Sequence, residues 1–286
     1  MLTFLRKKYN PRKFLKSTRV IEINPMLNRH RLRLRSHYLD RKVLVDLYLS
    51  TDVINWQSTL LLNDGQDMEQ LQIEKTLTDM FSTTGRMKIS VVAIHANRER
   101  MQEYGVANFP DYKNRGNKAV RYANFIALEL VPFLQKKYGL MKAENIKAFA
   151  GFSMGGLSAL DISWNNPELF NKVGVFSGSL WWKSLNTGTA KDDEFRIMHR
   201  RIRESTKREG MKFWFQTGTD DEIDDRNKNG IIDSIDDTLD MIKELKSLGY
   251  TDEDITYLEI EKGEHNYHTW SAVFPEFLLW AFPNPK

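Results

Sequence analysis

The residues best suited to chemistry in this chain of 286 residues surround one serine. Ser153 sits in Gly151-Phe152-Ser153-Met154-Gly155-Gly156, after a short apolar run from Ile146 to Ala150 and before a stretch of helical apolar spacing from Leu157 to Trp164. Strand, tight turn and helix are the context in which G-x-S-x-G lifts a nucleophilic hydroxyl above a sheet. The glycines then keep side chains away from a crowded crossing. Without that chemistry the same residues make a glycine-rich turn with an incidental serine.

A serine hydroxyl is a poor nucleophile at neutral pH and needs a base, which in turn needs an acid to set its tautomer. Of six histidines, His30 and His37 fall in an N-terminal hairpin, His199 in a charged helix, and His95 ahead of the serine. His265 and His268 follow the last strand, where the base belongs, and His265, directly after Gly263-Glu264, is the preferred candidate. Acids crowd the loop after the Phe213 strand; Asp221 is preferred, with Asp220 and Glu222 behind it. The chain order serine, acid, histidine suits a nucleophile at such a turn. Two N–H donors are needed for the oxyanion. The candidates are the backbone of Met154, next to the nucleophile, and that of Gln66, in a turn that is otherwise simply sharp, Asn63-Asp64-Gly65.

A second motif is Asp225-Arg226-Asn227-Lys228-Asn229-Gly230-Ile231-Ile232-Asp233-Ser234-Ile235-Asp236. It follows the spacing of a calcium loop, with oxygens from Asp225, Asn227, Asn229, the Ile231 carbonyl, Asp233 and Asp236, and Gly230 at the bend. Its last ligand is an aspartate where glutamate is usual, and a strand precedes it instead of a helix. As plain structure it is an Asx-rich turn leading into an acidic helix start. A cation here would be structural, stiffening the segment that carries Asp221.

The elements that must position these groups alternate along the chain. Arg29 to Arg35 and Val43 to Leu49 have period two and read as an antiparallel hairpin at a sheet edge, with the arginines as its wet face. Thr59 to Leu62 and Ile89 to Ile94 are buried strands joined through a helix from Met68 to Phe81, a parallel crossover. A long polar loop, 97 to 115, follows. The spacing predicts a helix from Lys118 to Tyr138, bent at Pro132 and stopped at Gly139. Strands at Val173 to Phe176, Phe213 to Gln216 and Ile255 to Ile260 alternate with helical segments at Asp192 to Arg208, Ile235 to Leu248 and Ser271 to Ala281. This predicts an α/β fold: a mostly parallel central sheet with an antiparallel N-terminal hairpin and helices on both faces.

Composition narrows the rest. There is no cysteine, which excludes disulfides, thiolate metal sites and a cysteine nucleophile. The net charge is +4, and Arg6, Lys7, Lys8, Arg12, Lys13, Lys16 and Arg19 precede the first acid, Glu22. Such an arm reads as a solvated extension, and no nucleic-acid role is expected. No run of 18 apolar residues or secretory signal is visible, so no membrane span and a cytoplasmic location are expected. Residues 1–28 are expected to be a basic extension and 29–286 a single domain.

The Gly-Phe-Ser-Met-Gly-Gly turn, Thr217-Gly218-Thr219-Asp220-Asp221-Glu222, and Gly263-Glu264-His265 with Trp270 resemble the putative-esterase family of α/β-hydrolases, the group of esterase D-like, feruloyl and enterobactin-type esterases. Arg100-Met101-Gln102-Glu103-Tyr104 and Ser177-Gly178-Ser179-Leu180-Trp181-Trp182 resemble its pocket loops. The similarity runs from about Arg33 to Phe282 and implies an α/β-hydrolase fold with Ser153, Asp221 and His265 as triad. It also implies Trp181 and Trp182 beside the substrate, with packing as the alternative for one of them. Arg100 would meet an anionic or polar part of the substrate, or simply pair with Glu103. The expected function is a serine carboxylic-ester hydrolase working through an acyl-enzyme on a small-molecule ester, with no catalytic cofactor. The alternatives are an acyltransferase of the same fold and a non-catalytic, metal-stabilised binding protein.

Overall fold

The computed structural model describes residues 14–51, 58–84 and 89–283. The strands are β1 (Leu15–Asn24), β2 (Leu27–Arg35), β3 (Lys42–Ser50), β4 (Ser58–Asn63), β5 (Ile89–Ile94), β6 (Ile146–Phe152), β7 (Lys172–Phe176), β8 (Lys212–Asp220) and β9 (Ile255–Glu264). They form one sheet in the order β1-β2-β3-β5-β4-β6-β7-β8-β9. The first three are antiparallel, β3 meets β5 antiparallel, and every pair from β5 onward is parallel.

Alternation along each strand divides the core between two faces. Leu60, Leu62, Val91, Ala150 and Trp214 pack with the helices Ile73–Thr84 and Tyr267–Ala281. Leu61, Val92, Phe149, Val173 and Phe215 face the opposite layer, which includes the helices Met154–Asn165 and Asp233–Ser247. The expected α/β fold, with helices on both faces, is what the chain adopts.

Four local expectations change. The hairpin β2–β3 is not the sheet edge, because β1 pairs outside it from Leu15 onward. Of the expected extension, residues 15–24 and 27–28 therefore belong to the sheet and Phe14 packs into the core; residues 1–13 lie outside the described residues. The arginine row is wet only in part. Arg33 and Arg35 are exposed, while Arg29 reaches Glu74 at 2.7 Å and Arg31 grips Asp46 at 2.8 and 2.7 Å. Finally, the segment expected to be helical from Asp192 to Arg208 is a 3-10 turn, Ala190–Phe195, then a short helix, Ile197–Arg203. It breaks at Arg196, whose guanidinium turns inward to Asp237 at 2.5 Å and Asp240 at 2.6 Å.

Where the sequence predicts a bend at Pro132, a π turn stands directly ahead of the proline. Helix Ala119–Phe125 passes through a π turn, Ile126–Leu130, before resuming as Val131–Tyr138. Proline has no N–H to extend the ladder, and the wider turn absorbs the mismatch. Gly139, at φ 67°, closes that helix, and Leu140 N–H donates to the Leu134 carbonyl at 3.3 Å.

Candidate active site at the carboxyl edge of the parallel strands

Strand β6 ends at Phe152 and the next helix begins at Met154, so Ser153 alone makes the turn, at φ 53° and ψ −124°. A non-glycine residue held there stores about 1–3 kcal/mol of strain, sustained only where neighbours over-determine it. They do so here. Ser153 N–H donates to the Phe176 carbonyl of β7 at 2.9 Å, and its carbonyl accepts from Gly156 at 3.0 Å and Ser179 at 3.1 Å. A Cβ on Gly151 would lie 2.4 Å from the Gly155 carbonyl, and one on Gly155 would lie 2.8 Å from an Asp64 carboxylate oxygen. The glycines thus let strand, helix and the β4 loop converge on the serine. The Ser153 hydroxyl lies 3.3 Å from that of Ser179.

Asp221 follows β8 with a fully buried side chain. His265, following β9, has a side chain 42% exposed, with its Nδ1 3.8 Å from Asp221 Oδ1. That is a charge contact, not a hydrogen bond. Asp221 Oδ2 accepts from Gly218 N–H at 3.1 Å and Oδ1 from the Ser177 hydroxyl at 2.9 Å. Burial pushes the Asp221 carboxyl up, while these donors and His265 pull it down. Burial lowers His265 below its ordinary value, Asp221 opposes this, and the Arg100 charge adds to it. Of the other candidates, Asp220 is exposed and Glu222 is pushed up to about 7, first by burial and then by Asp233. His268 is exposed on the first turn of the final helix.

The β4 loop supplies the facing wall. Asp64 is left-handed at φ 61°, and Gly65–Asp67 form one 3-10 turn. The backbone N–H of Gln66 lies in that first turn and that of Met154 at the start of its helix, positions with no intrahelical carbonyl to meet. Asn63 Nδ2 donates to the Gly155 carbonyl at 2.7 Å, which ties this loop to the serine turn. Arg100 grips Asp64 through Nε and Nη2 at 2.7 and 2.8 Å. The expected pairing of Arg100 with Glu103 does not form, because Glu103 is taken by Arg41 at 2.8 and 2.5 Å.

With this geometry in view, the sequence profile of the family described as "Putative esterase" matches residues 36–281. The chain belongs to that family. Ester hydrolysis is therefore its class of reaction. The chain is 24% identical over 226 residues to the uncharacterized protein YbbA of Bacillus subtilis (strain 168), covering 77% of this chain and 84% of that protein. An enterobactin esterase from Shigella flexneri superposes with a TM-score of 0.71 at 18% identity, over 90% of this chain and 59% of that one. This esterase thus spans well under two thirds of that structure's length. A ferulic acid esterase gives 0.66 at 16% identity, over 91% and 98% of the two chains. An S-formylglutathione hydrolase from Agrobacterium tumefaciens gives 0.62 at 13%, over 94% and 98%. At such identities the likeness is one of fold.

The two tryptophans of this esterase separate. Trp182 is fully buried, its Nε1 donating to the Phe109 carbonyl at 3.1 Å. Its ring fills the space beside Gly105 and Gly116, where a Cβ would meet it at 2.7 Å. It is a core residue, correcting the expectation that it flanks substrate. Trp181 is half-buried with the Arg115 guanidinium 4.7 Å above its ring.

The calcium-like loop is satisfied from within. Asp225 accepts from Asn229 N–H at 3.1 Å and Gly230 N–H at 2.9 Å, and the Asn227 side-chain oxygen accepts from Asn229 N–H at 3.1 Å. The Asn229 side-chain oxygen accepts from Ile231 N–H at 2.8 Å, while Asp236 accepts from Asn227 Nδ2 at 2.7 Å. Asp233 is bound by Arg226, through backbone N–H at 2.9 Å and guanidinium at 3.0 Å. Among the described residues no three His, Asp or Glu side chains converge to hold a metal ion. Nor, among them, is any helix long and apolar enough to cross a membrane.

Proposed function

We propose that this esterase hydrolyses small-molecule carboxylic esters through Ser153, His265 and Asp221. The strained Ser153 turn, clamped by glycines between β6 and its helix, carries the reading. Ser153 Oγ attacks the ester carbonyl while His265 Nε2 accepts its proton. The oxyanion is met by the N–H groups of Met154 and Gln66. His265 returns the proton to the departing alcohol, leaving an acyl-Ser153. A water, deprotonated by the same nitrogen, then releases the acid and regenerates the serine. Asp221 holds Nδ1 protonated and balances the imidazolium. The 3.8 Å gap between Asp221 and His265 must shorten by about 1 Å with substrate bound, as catalytic hydrogen bonds of empty sites commonly do.

Turnover of p-nitrophenyl acetate tests this. Ser153→Ala should lower kcat by about 10⁴-fold or more and abolish labelling by a fluorophosphonate probe. A variant that keeps full turnover overturns the proposal. Transfer of the acyl group to an added alcohol, outcompeting water, would favour the acyltransferase instead. The 225–236 loop has calcium spacing, but its Asp and Asn side chains already hold partners within the loop, and it takes no part in this chemistry.

A further inference from the structure

Two buried polar groups stand behind the acid and base without any part in the steps above: the Ser177 hydroxyl and the Trp270 indole N–H. Trp270 Nε1 lies 2.9 Å from Ser177 Oγ, and Ser177 Oγ lies 2.9 Å from Asp221 Oδ1. An indole N–H can only donate, so Ser177 must accept from it. Its single proton is then free to go to the carboxylate. The direction of the chain is fixed: Trp270 to Ser177 to Asp221.

The same indole touches the other two members. The His265 ring stands edge-on to it, with centroids 5.2 Å apart and planes at 78°. Phe152, the residue before Ser153, stacks on it at 5.1 Å and 27°. Ser177 itself is held at φ 43°, with its N–H on the Gln216 carbonyl at 2.7 Å. A serine held at positive φ persists only where its surroundings over-determine it, and here the Gln216 carbonyl, Trp270 and Asp221 all grip it.

We infer that Trp270 and Ser177 are positioning residues for the acid and base: one indole sets the ring of His265 and the elbow residue Phe152, and through Ser177 it orients Asp221 as a pure acceptor. With Ser177 donating to Oδ1 and Gly218 to Oδ2, the carboxylate can only receive from His265. This selects the Nδ1–H tautomer and leaves Nε2 as the base. Burial favours the neutral acid at Asp221, and the two donors, together with His265, oppose it. The inference rests on the triad proposed above.

The experiment compares Ser177→Ala, Trp270→Phe and the double variant, using kcat, KM and the pH profile of kcat/KM, with Tm as a control. Ser177→Ala should lower kcat about 30-fold with KM within about twofold. Its acid limb should move to higher pH. A carboxylate stripped of a donor either protonates more readily or presents more charge to His265, and both shift the limb upward. Trp270→Phe keeps the ring contacts and frees the hydroxyl to turn, so its loss should be smaller, about fivefold. The double variant should be no worse than Ser177→Ala alone, because both cut the same chain. Ser177→Cys keeps bulk with a weaker donor, and an intermediate limb shift supports the inference even if the alanine variant fails to fold. Wild-type kcat and an unmoved limb in Ser177→Ala, with Ser153→Ala inactive, overturn this inference alone. So does a double variant whose losses multiply. Turnover surviving in Ser153→Ala instead overturns the triad and this inference with it.

Discussion

The turn at Gly151–Gly156 and the loop at Asp225–Asp236 look equally purposeful as strings of residues, but the fold uses them in opposite ways. The serine turn is bound from outside. Phe176 and Ser179 at the end of β7 and Asn63 at the end of β4, two other segments, reach its backbone, and its glycines exist to admit them. The acidic loop is bound mainly from within, its Asx oxygens returning to N–H groups two to five residues away. Its main outside tie is Arg226, which dives to Asp193 and Asp237. A motif whose strain is imposed by distant neighbours has a task they share, whereas one that satisfies itself needs only its own spacing.

The comparison can be broken most decisively by the acids. Asp221→Asn should lower kcat by about 10³- to 10⁴-fold by losing the productive tautomer, whereas Asp225→Asn should leave kcat within about twofold. Comparable losses in both would show the acidic loop to be part of the machinery. A smaller but still large effect is expected at Gly151. Its Cβ would lie 2.4 Å from backbone atoms of Gly155, so Gly151→Ala should lower Tm by about 10 °C and kcat by at least tenfold.

Proton uptake sharpens the contrast more gently. Burial, the largest cause, holds His265 below its ordinary value, so the acid limb of kcat/KM should lie at lower pH than for an unburied imidazole. Between Asp221 and the acidic loop, Glu222 is raised to about 7 from 4.5, first by burial. A carboxyl raised in the folded state is kept neutral there while the unfolded chain ionises. The folded chain therefore loses stability as pH climbs from 4.5 to about 7, and the penalty is full above that. Glu222→Gln should raise Tm at pH 8 by about 2 °C, discounted for partial exposure, and leave it unchanged at pH 4. The smallest effect is expected from EDTA: no change in kcat and less than about 1 °C in Tm. A rise of several degrees with added calcium would return the loop to the status of a cation site.

Much of the frame was legible because each strand ends in residues unlike those inside it. Apolar runs ending at Leu62, Ala150, Phe176 and Ile260 mark the carboxyl edge, and Gly139 and Pro132 mark where a helix stops and bends. Strand β1 was hidden because Lys16, Arg19 and Glu22 dominate its composition, and because irregular pairing near Leu15–Ser17 and Glu22–Asn24 breaks its alternation. The inward turns of Arg29, Arg31 and Arg196 depend on acids on other segments, which no local pattern records. The same holds at the site. Asp220, Asp221 and Glu222 are near-equivalent in sequence, and only their tertiary surroundings place one beside an imidazole. Ser177 was visible as a residue, but the direction of its hydrogen bond needs Trp270 in space.

Trp182 joins two surface segments that are far apart in the chain. Its indole occupies a slot that exists only because residues 105 and 116 lack side chains. The long stretch from 97 to 115 and the stretch after β7 therefore form a matched pair, cut to each other's shape. Transplanting either one between relatives would leave a hole or a collision, so variation in these two stretches should arrive as exchanges of both together.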